Sequence, residues 1–298
     1  MFNFKKRKAQ KLHALAQQMH DDGQESKALE WYFKAIELDP EKAESYYNVG
    51  LIHKYRGEWE LSLKYNQIAN TLRPDDEAAR WNLAIAATAL RRWDIARSAW
   101  LQNGMKLEGD AGPINMNFGM TPVRLNPDDD AEVVWATRID PVRARIDSIP
   151  FPESGFRFGD IVLHDGAAVG RRVAGDRQYP VFNVLELFES STYGTAVANV
   201  ELTKEDDLGE LADLLSADGH QMEDWTVNIR VLCKQCSEGT PHDHHDDEDN
   251  KRAWQPVRKL GIALCESESV SSLIESWQRR TGAGLTSLEI FENLQPRT

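Results

Sequence analysis

Three stretches of this chain repeat at a spacing of 34 residues, and a repeat of that length dictates an architecture before any single residue does. Gly23, Ala28, Tyr32, Ala35 and Pro40 stand in register with Gly57, Ser62, Asn66, Ala69 and Pro74, and again with Arg91, Ala96, Trp100, Asn103 and Glu108. Small residues recur where two helices must approach closely. In the first two sets a proline follows the second helix, which it cannot continue. Within each set apolar residues return at steps of three and four, as in Leu12, Leu15, Ala16 and Met19, the spacing of an amphipathic helix. The pattern predicts six helices over residues 9–108, with Asp75 or Asp76 capping the fifth. A helix–turn–helix unit of this size cannot bury its apolar stripe alone. Consecutive units stack into a curved scaffold whose usual task is to hold another polypeptide.

The residues that carry this period resemble the tetratricopeptide repeat family over about residues 9–110. The second unit fits most fully, through Tyr46, Val49, Gly50, Gly57, Ala69 and Pro74, and the third through Trp81, Leu83, Ala84 and Ala96 without the terminal proline. The resemblance implies a binding module and not a catalyst, with the first helix of each unit lining a concave face. It places His13, Gln17 and His20 on that face in the first unit, Tyr47, Asn48, Leu51, Lys54 and Tyr55 in the second, and Trp81, Ile85 and Thr88 in the third. Members that clamp a C-terminal carboxylate use Lys, Arg and Asn there. Asn48 fits, but His13, Gln17, Ala78 and Asn82 occupy the other clamp positions, so the expected groove is aromatic and apolar and suits an amphipathic or apolar segment. No polar seventh helix follows Leu107. Either the open end therefore rests on residues 111–298, or those residues fill the groove.

Gly109-Asp-Ala-Gly112-Pro113 breaks the helical pattern and marks a boundary. The expected organisation is a helical repeat domain over 1–110, a small β-rich domain over 111–190, and a ferredoxin-like α+β domain over 191–298. In the middle region short period-two segments around Val133–Trp135, Arg143–Ile146, Gly159–Leu163 and Val181–Leu187 read as strands of a small barrel or sandwich. Turns are expected at 150–155, 166–170 and 175–176. The last region reads as two βαβ units: strands at 195–202, 225–232, 259–264 and 285–291, with helices at 205–217 and 269–280. Thr203 is a candidate cap for the first of these helices.

Between the two βαβ units lies a Cys/His loop over 233–249. Cys233 and Cys236 are followed by His242, His244 and His245 and by a run of carboxylates. Thiolate and imidazole are the ligands zinc prefers, and a closed set of two sulfurs and two imidazoles would be a structural Zn2+ site. The short gap between the cysteines and histidines leaves two other readings open, an acidic loop without a specific metal and a redox dithiol. Cys265, at the end of the third strand, is expected to be a buried small hydrophobe. His164-Asp165-Gly166 is read as a strand end, not an acid–base pair.

Net charge settles what the chain avoids. At −13 over 298 residues it repels nucleic acid unless a basic face is segregated, and Lys5, Lys6, Arg7 and Lys8 form a single short cluster. No apolar run is long enough to span a bilayer. Three cysteines make no disulfide framework, and the expected setting is a bacterial cytoplasm. Two functions follow. One is a non-enzymatic adaptor or regulator that binds a protein or peptide partner through the concave face. The other is a metal-dependent enzyme that uses the Cys/His cluster, with Glu238 as a general base.

Overall fold

The computed structural model describes residues 2–228, 254–265 and 269–291. The chain divides into two compact units, residues 1–116 with 140–142, and residues 117–139 with 143–298. The first unit carries three antiparallel helix pairs: α1 (Phe2–Asp21) with α2 (Glu25–Leu38), α3 (Ala43–Tyr55) with α4 (Trp59–Leu72), and α5 (Glu77–Ala89) with α6 (Trp93–Gln102). Asp76 caps α5, its carboxylate accepting the N–H of Ala79 at 3.2 Å.

Each pair turns in the same way. The N–H of Gln24 bonds to the carbonyl of Met19, that of Glu58 to His53, and that of Arg92 to Ala87. This closure needs a left-handed residue just past the helix end, and Gly23, Gly57 and Arg91 supply it at φ of 72°, 67° and 57°. Glycine takes that conformation freely, whereas arginine meets a steric cost there. Between the helices, Ala16, Ala28, Tyr32, Val49 and Ile52 make one buried cluster. In the second pair the Ser62 hydroxyl donates to the Gly50 carbonyl at 2.9 Å, and a Cβ on Gly50 would lie 2.5 Å from the Asn66 amide nitrogen. The small residues of the period are thus places where helix backbones meet.

The second unit holds two sheets. The first comprises β1 (Met120–Leu125), β2 (Glu132–Arg138), β3 (Arg143–Ile146), β4 (Ile161–Ala174) and β5 (Arg177–Glu189) in sequence order. A parallel pairing of Val123 with Phe182 and Arg124 with Asn183 closes it into a barrel. Val123, Leu125, Val134, Ala136, Ala144, Ile146 and Val162 fill its interior, every second residue of their strands. The turn expected at 166–170 is instead part of β4, which stays paired with β5 through successive register shifts between Leu163 and Gly170. Glycines there absorb bulges without ending the ladder, and the hairpin turns at Gly175, φ 56°.

The second sheet joins β6 (Gly194–Glu201), β7 (Gln221–Asp224), β8 (Val257–Leu264) and β9 (Gly284–Phe291) in the order β7-β8-β6-β9, with every neighbour antiparallel. α7 (Asp206–Ala217) and α9 (Val270–Thr281) cover one face with Leu211, Leu215, Ile274 and Trp277. Of the strand expected at 225–232, residues 229–232 lie outside the described residues, and Trp225–Asn228 make one helical turn, α8, after β7, which ends at Asp224. α7 ends at Ala217 as expected, and Gly219, at φ 86°, makes the tight turn that lets β7 start at Gln221. Trp225 then leaves the strand to lay its ring on Gly261, where any Cβ would fall 2.3 Å from the ring. Thr203 does not cap α7 as expected. Its N–H and hydroxyl both donate to the Asp207 carboxylate, at 2.8 and 2.6 Å. The other face of the sheet, with Val197, Ala263 and Trp225, packs against Ile149, Phe151, Phe158 and Tyr193 of the barrel segment.

Candidate partner-binding face

α1, α3 and α5 carry the expected groove residues at matching positions, yet the three helices present them differently. In α1, Gln17 is exposed and His20 is half-buried. His13 is not on the open face. It is 4% exposed, its Nδ1 lies 3.0 Å from the Ser45 hydroxyl, and its ring meets Tyr32 edge-on at 5.4 Å. Burial and the neighbouring Lys42 charge lower its pKa to about 4, so the imidazole is neutral at pH 7. The reason lies across the helix contact: position 45 of α3 holds a serine, whose hydroxyl the imidazole meets between α1 and α3.

In α3, Tyr47, Asn48 and Leu51 are half-buried and Tyr55 is 54% exposed. Lys54 is buried, with its Nζ over the Tyr55 ring at 4.2 Å from the centroid and 3.4 Å from the Asn82 side-chain oxygen. An ammonium held in this way fixes the tyrosine ring and adds a cation–π contact.

In α5, Trp81 is half-buried, its ring edge-on to Trp100 at 4.9 Å. Beyond it every residue from Asn82 to Thr88 is buried, so Ile85 and Thr88 are closed to any partner, contrary to expectation. A helix that is buried on all sides has no stripe left for solvent. The accessible part of the expected face is therefore Gln17, His20, Tyr47, Asn48, Leu51, Tyr55 and, in part, Trp81.

Arg97 was not among the expected residues and organises the end of the repeats. It follows Leu29 and Leu63 at the 34-residue spacing and is 6% exposed. Its guanidinium donates to the carbonyls of Gly112, Gly109 and Glu108 at 2.9, 2.7 and 2.8 Å. The signal was present as an arginine in a leucine register. A second feature is a surface hollow of about 650 Å3 on α4, lined by Leu61, Lys64, Ile68 and Leu72 beside the Glu60–Arg92 ion pair.

Cys233, Cys236, His242, His244 and His245 lie outside the described residues. Among the described residues no group of three or more His, Cys, Asp or Glu side chains converges on a metal position. Cys265 is exposed, not buried, because β8 ends at Leu264 and the cysteine falls beyond the strand, its N–H donating to His220 Nδ1 at 3.0 Å. His164 is fully buried and stacked on Phe182 at 5.0 Å, inside β4 and not at its end.

The family model described as the TPR repeat matches residues 17–57, from the last five residues of α1 through α3. The N-terminal repeats are of the tetratricopeptide type. Among solved structures, the chain is similar to the second TPR of Spaghetti (RPAP3) bound to the HSP90 peptide SRMEEVD, at 20% identity and a TM-score of 0.31, over 33% of this chain and 84% of that one. It is also similar to a hypothetical protein from Neisseria gonorrhoeae, at 10% identity and a TM-score of 0.30, over 60% of this chain and 96% of that one. No helix among the described residues is long and apolar enough to cross a membrane.

Proposed function

We propose that this protein is a non-enzymatic adaptor or regulator whose first two repeats hold a polypeptide segment. The observation that carries this reading is the unequal burial of the three first helices. Gln17, Tyr47, Leu51 and Tyr55 keep accessible surface, whereas α5 is closed from Asn82 to Thr88. Half-buried aromatics over a rigid helical scaffold are the kind of anchor that supplies most of the energy of a protein contact. The matching positions carry no cluster of cations, so the segment is recognised through apolar and aromatic side chains more than through its charge.

Site-specific photocrosslinking tests this. With a photoreactive phenylalanine analogue at Tyr47 or Tyr55, partner adducts are expected, and at Gln67, on the exposed side of α4, none. Equal adducts at all three positions, or none at Tyr47 and Tyr55, would refute the reading.

We read the four-stranded sheet with its two helices as a ferredoxin-like module and the five-stranded sheet as a small barrel that supports it. We also propose a structural Zn2+ held by Cys233, Cys236 and two of His242, His244 and His245, because these are the donor types zinc takes. The expected result is one zinc per chain, by elemental analysis of untagged protein, and a lower Tm after chelation. Metal-free protein with an unchanged Tm would remove the proposal.

A further inference from the structure

The segment between β3 and β4, which packs on the second sheet, is held by two carboxyl groups, one from each sheet. Ile149 and Phe151 send their side chains into the apolar joint with Val197, Trp225 and Ala263, and the Phe151 and Trp225 rings meet at 4.6 Å. Their backbone N–H groups point the other way. Phe151 donates to both oxygens of Glu132 at 3.3 and 3.1 Å, and Glu132 is the first residue of β2 in the barrel. The N–H of Ile149 goes to Glu223 in β7 of the other sheet, which also accepts from the Trp225 side chain. Pro150 between them has no N–H to offer.

Two half-buried carboxyl groups beside one apolar joint resist ionising together. Burial first, and then the charges of Glu223 and Glu153, raise the Glu132 pKa to about 8, against the opposing effect of the Phe151 N–H. Burial raises Glu223 as well, against its two N–H donors and the charge of Arg172. Among the described residues, further charged groups lie around the joint. Arg172 lies over the Trp135 ring at 4.9 Å and donates to the Val133 carbonyl at 3.2 Å. Lys259 sits above Phe151 and Trp225 at 5.9 and 5.8 Å from their centroids. Asp224 pairs with Arg258 at 3.6 Å. β1 places Leu125 opposite Glu132, and its Arg124 stands opposite Val133.

We propose that Glu132 and Glu223 form a proton-operated latch between the barrel and the four-stranded sheet, closed while Glu132 holds its proton and loosened when it is lost. The direction follows from linkage. A carboxyl whose folded pKa lies above its unfolded value binds more protons when folded, so its contribution is complete below the unfolded pKa of about 4.5 and is lost as pH rises towards about 8. Opening would bare the Ile149–Phe151 segment and the Trp225 face of the sheet, so the joint reports ambient pH as a change in exposed apolar surface.

Amide hydrogen exchange on the full chain tests it, with protection corrected for the intrinsic pH dependence of exchange. In the wild type, protection of the segment 147–156 should fall about tenfold or more between pH 5.5 and pH 8.5. In Glu132→Gln, which keeps the acceptor for Phe151 but cannot ionise, it should change by less than about twofold. Glu223→Gln removes the repelling charge and should shrink the fall, an independent reading if Glu132→Gln does not fold. The helix α3 serves as control and should behave alike in all three proteins. A wild type with pH-independent protection, or variants that lose protection as the wild type does, would overturn the latch.

Discussion

Repeats one and two and repeat three are built on one template, and they differ in what their first helices leave uncovered. α1 and α3 keep Gln17, Tyr47, Leu51 and Tyr55 within reach of solvent, while α5 hides every residue from Asn82 to Thr88. The third repeat also breaks the template at two positions. Arg91 stands where Gly23 and Gly57 make the turn, and Arg97 stands where Leu29 and Leu63 stand in the earlier repeats. A repeat can thus keep its packing and change which side chains it leaves exposed. The first two pairs present a face, and the third ends the array and fastens the chain that leaves it.

The largest effect expected from breaking this division comes from the packing that repeat three shares with the others. Trp100 is fully buried against Trp81. Trp100→Ala should lower stability by about 3–5 kcal/mol, as large-to-small changes in cores do, and urea unfolding followed by circular dichroism would read it. Restoring the leucine register with Arg97→Leu removes three hydrogen bonds from a charged donor. A loss of about 2–3 kcal/mol is expected, together with faster proteolysis within 105–116, because the carbonyls of Glu108, Gly109 and Gly112 lose their partner. If Arg97→Leu were neutral and the linker stayed protected, the terminating role of repeat three would fail.

His13 sharpens the comparison through pH. Its folded pKa, about 4, lies below the free value of 6.5, so the unfolded chain binds more protons between those limits. Its contribution is therefore complete above pH 6.5 and declines as the solution is acidified towards pH 4. The thermal midpoint of wild type should drop more steeply over that range than that of His13→Gln. Parallel curves would show that the imidazole is not held neutral between α1 and α3.

The smallest effects carry opposite signs at one repeat position. Gly57→Ala places a Cβ at φ 67° and should cost about 1 kcal/mol, whereas Arg91→Gly relieves a left-handed arginine at φ 57° and should stabilise by about 0.5–1 kcal/mol. Thermal melts of the two single variants would measure both. Equal signs would mean that the two turns are not equivalent.

Much of the helical unit was legible because its information is local and repeats. Turn residues, helix contacts and the capping Asp76 all lie within one 34-residue register. The burial of α5 was also written in the chain: Leu83-Ala84-Ile85-Ala86-Ala87 is apolar around its whole circumference, the mark of a helix covered on all sides. A family-derived groove assignment at Ile85 obscured that signal. His13 was misplaced for a related reason, since its inward turn depends on Ser45, 32 residues away.

The β-rich unit was legible as two sheets but not in its detail. Period-two patterns mark strands and do not distinguish a glycine bulge from a turn, so 166–170 was misread. The start of β7 depended on Gly219 and on the contact of Trp225 with Gly261, which are distant in sequence. The Glu132 and Glu223 carboxyls lie 91 positions apart on different sheets, and no local pattern joins them.

The most direct test of the account asks whether the open face stops at the second repeat. In a chain with Cys265 changed to Ser and Cys233 and Cys236 kept, single cysteines at Gln17, Leu51 and Ile85 are titrated with a maleimide under native conditions, and labelling at each introduced position is read by peptide mass spectrometry. Rapid labelling at 17, slower labelling at 51 and labelling at 85 only on unfolding is the predicted order. If position 85 reacted as quickly as position 17, α5 would be as open as α1, and the division between presenting and terminating repeats would be contradicted.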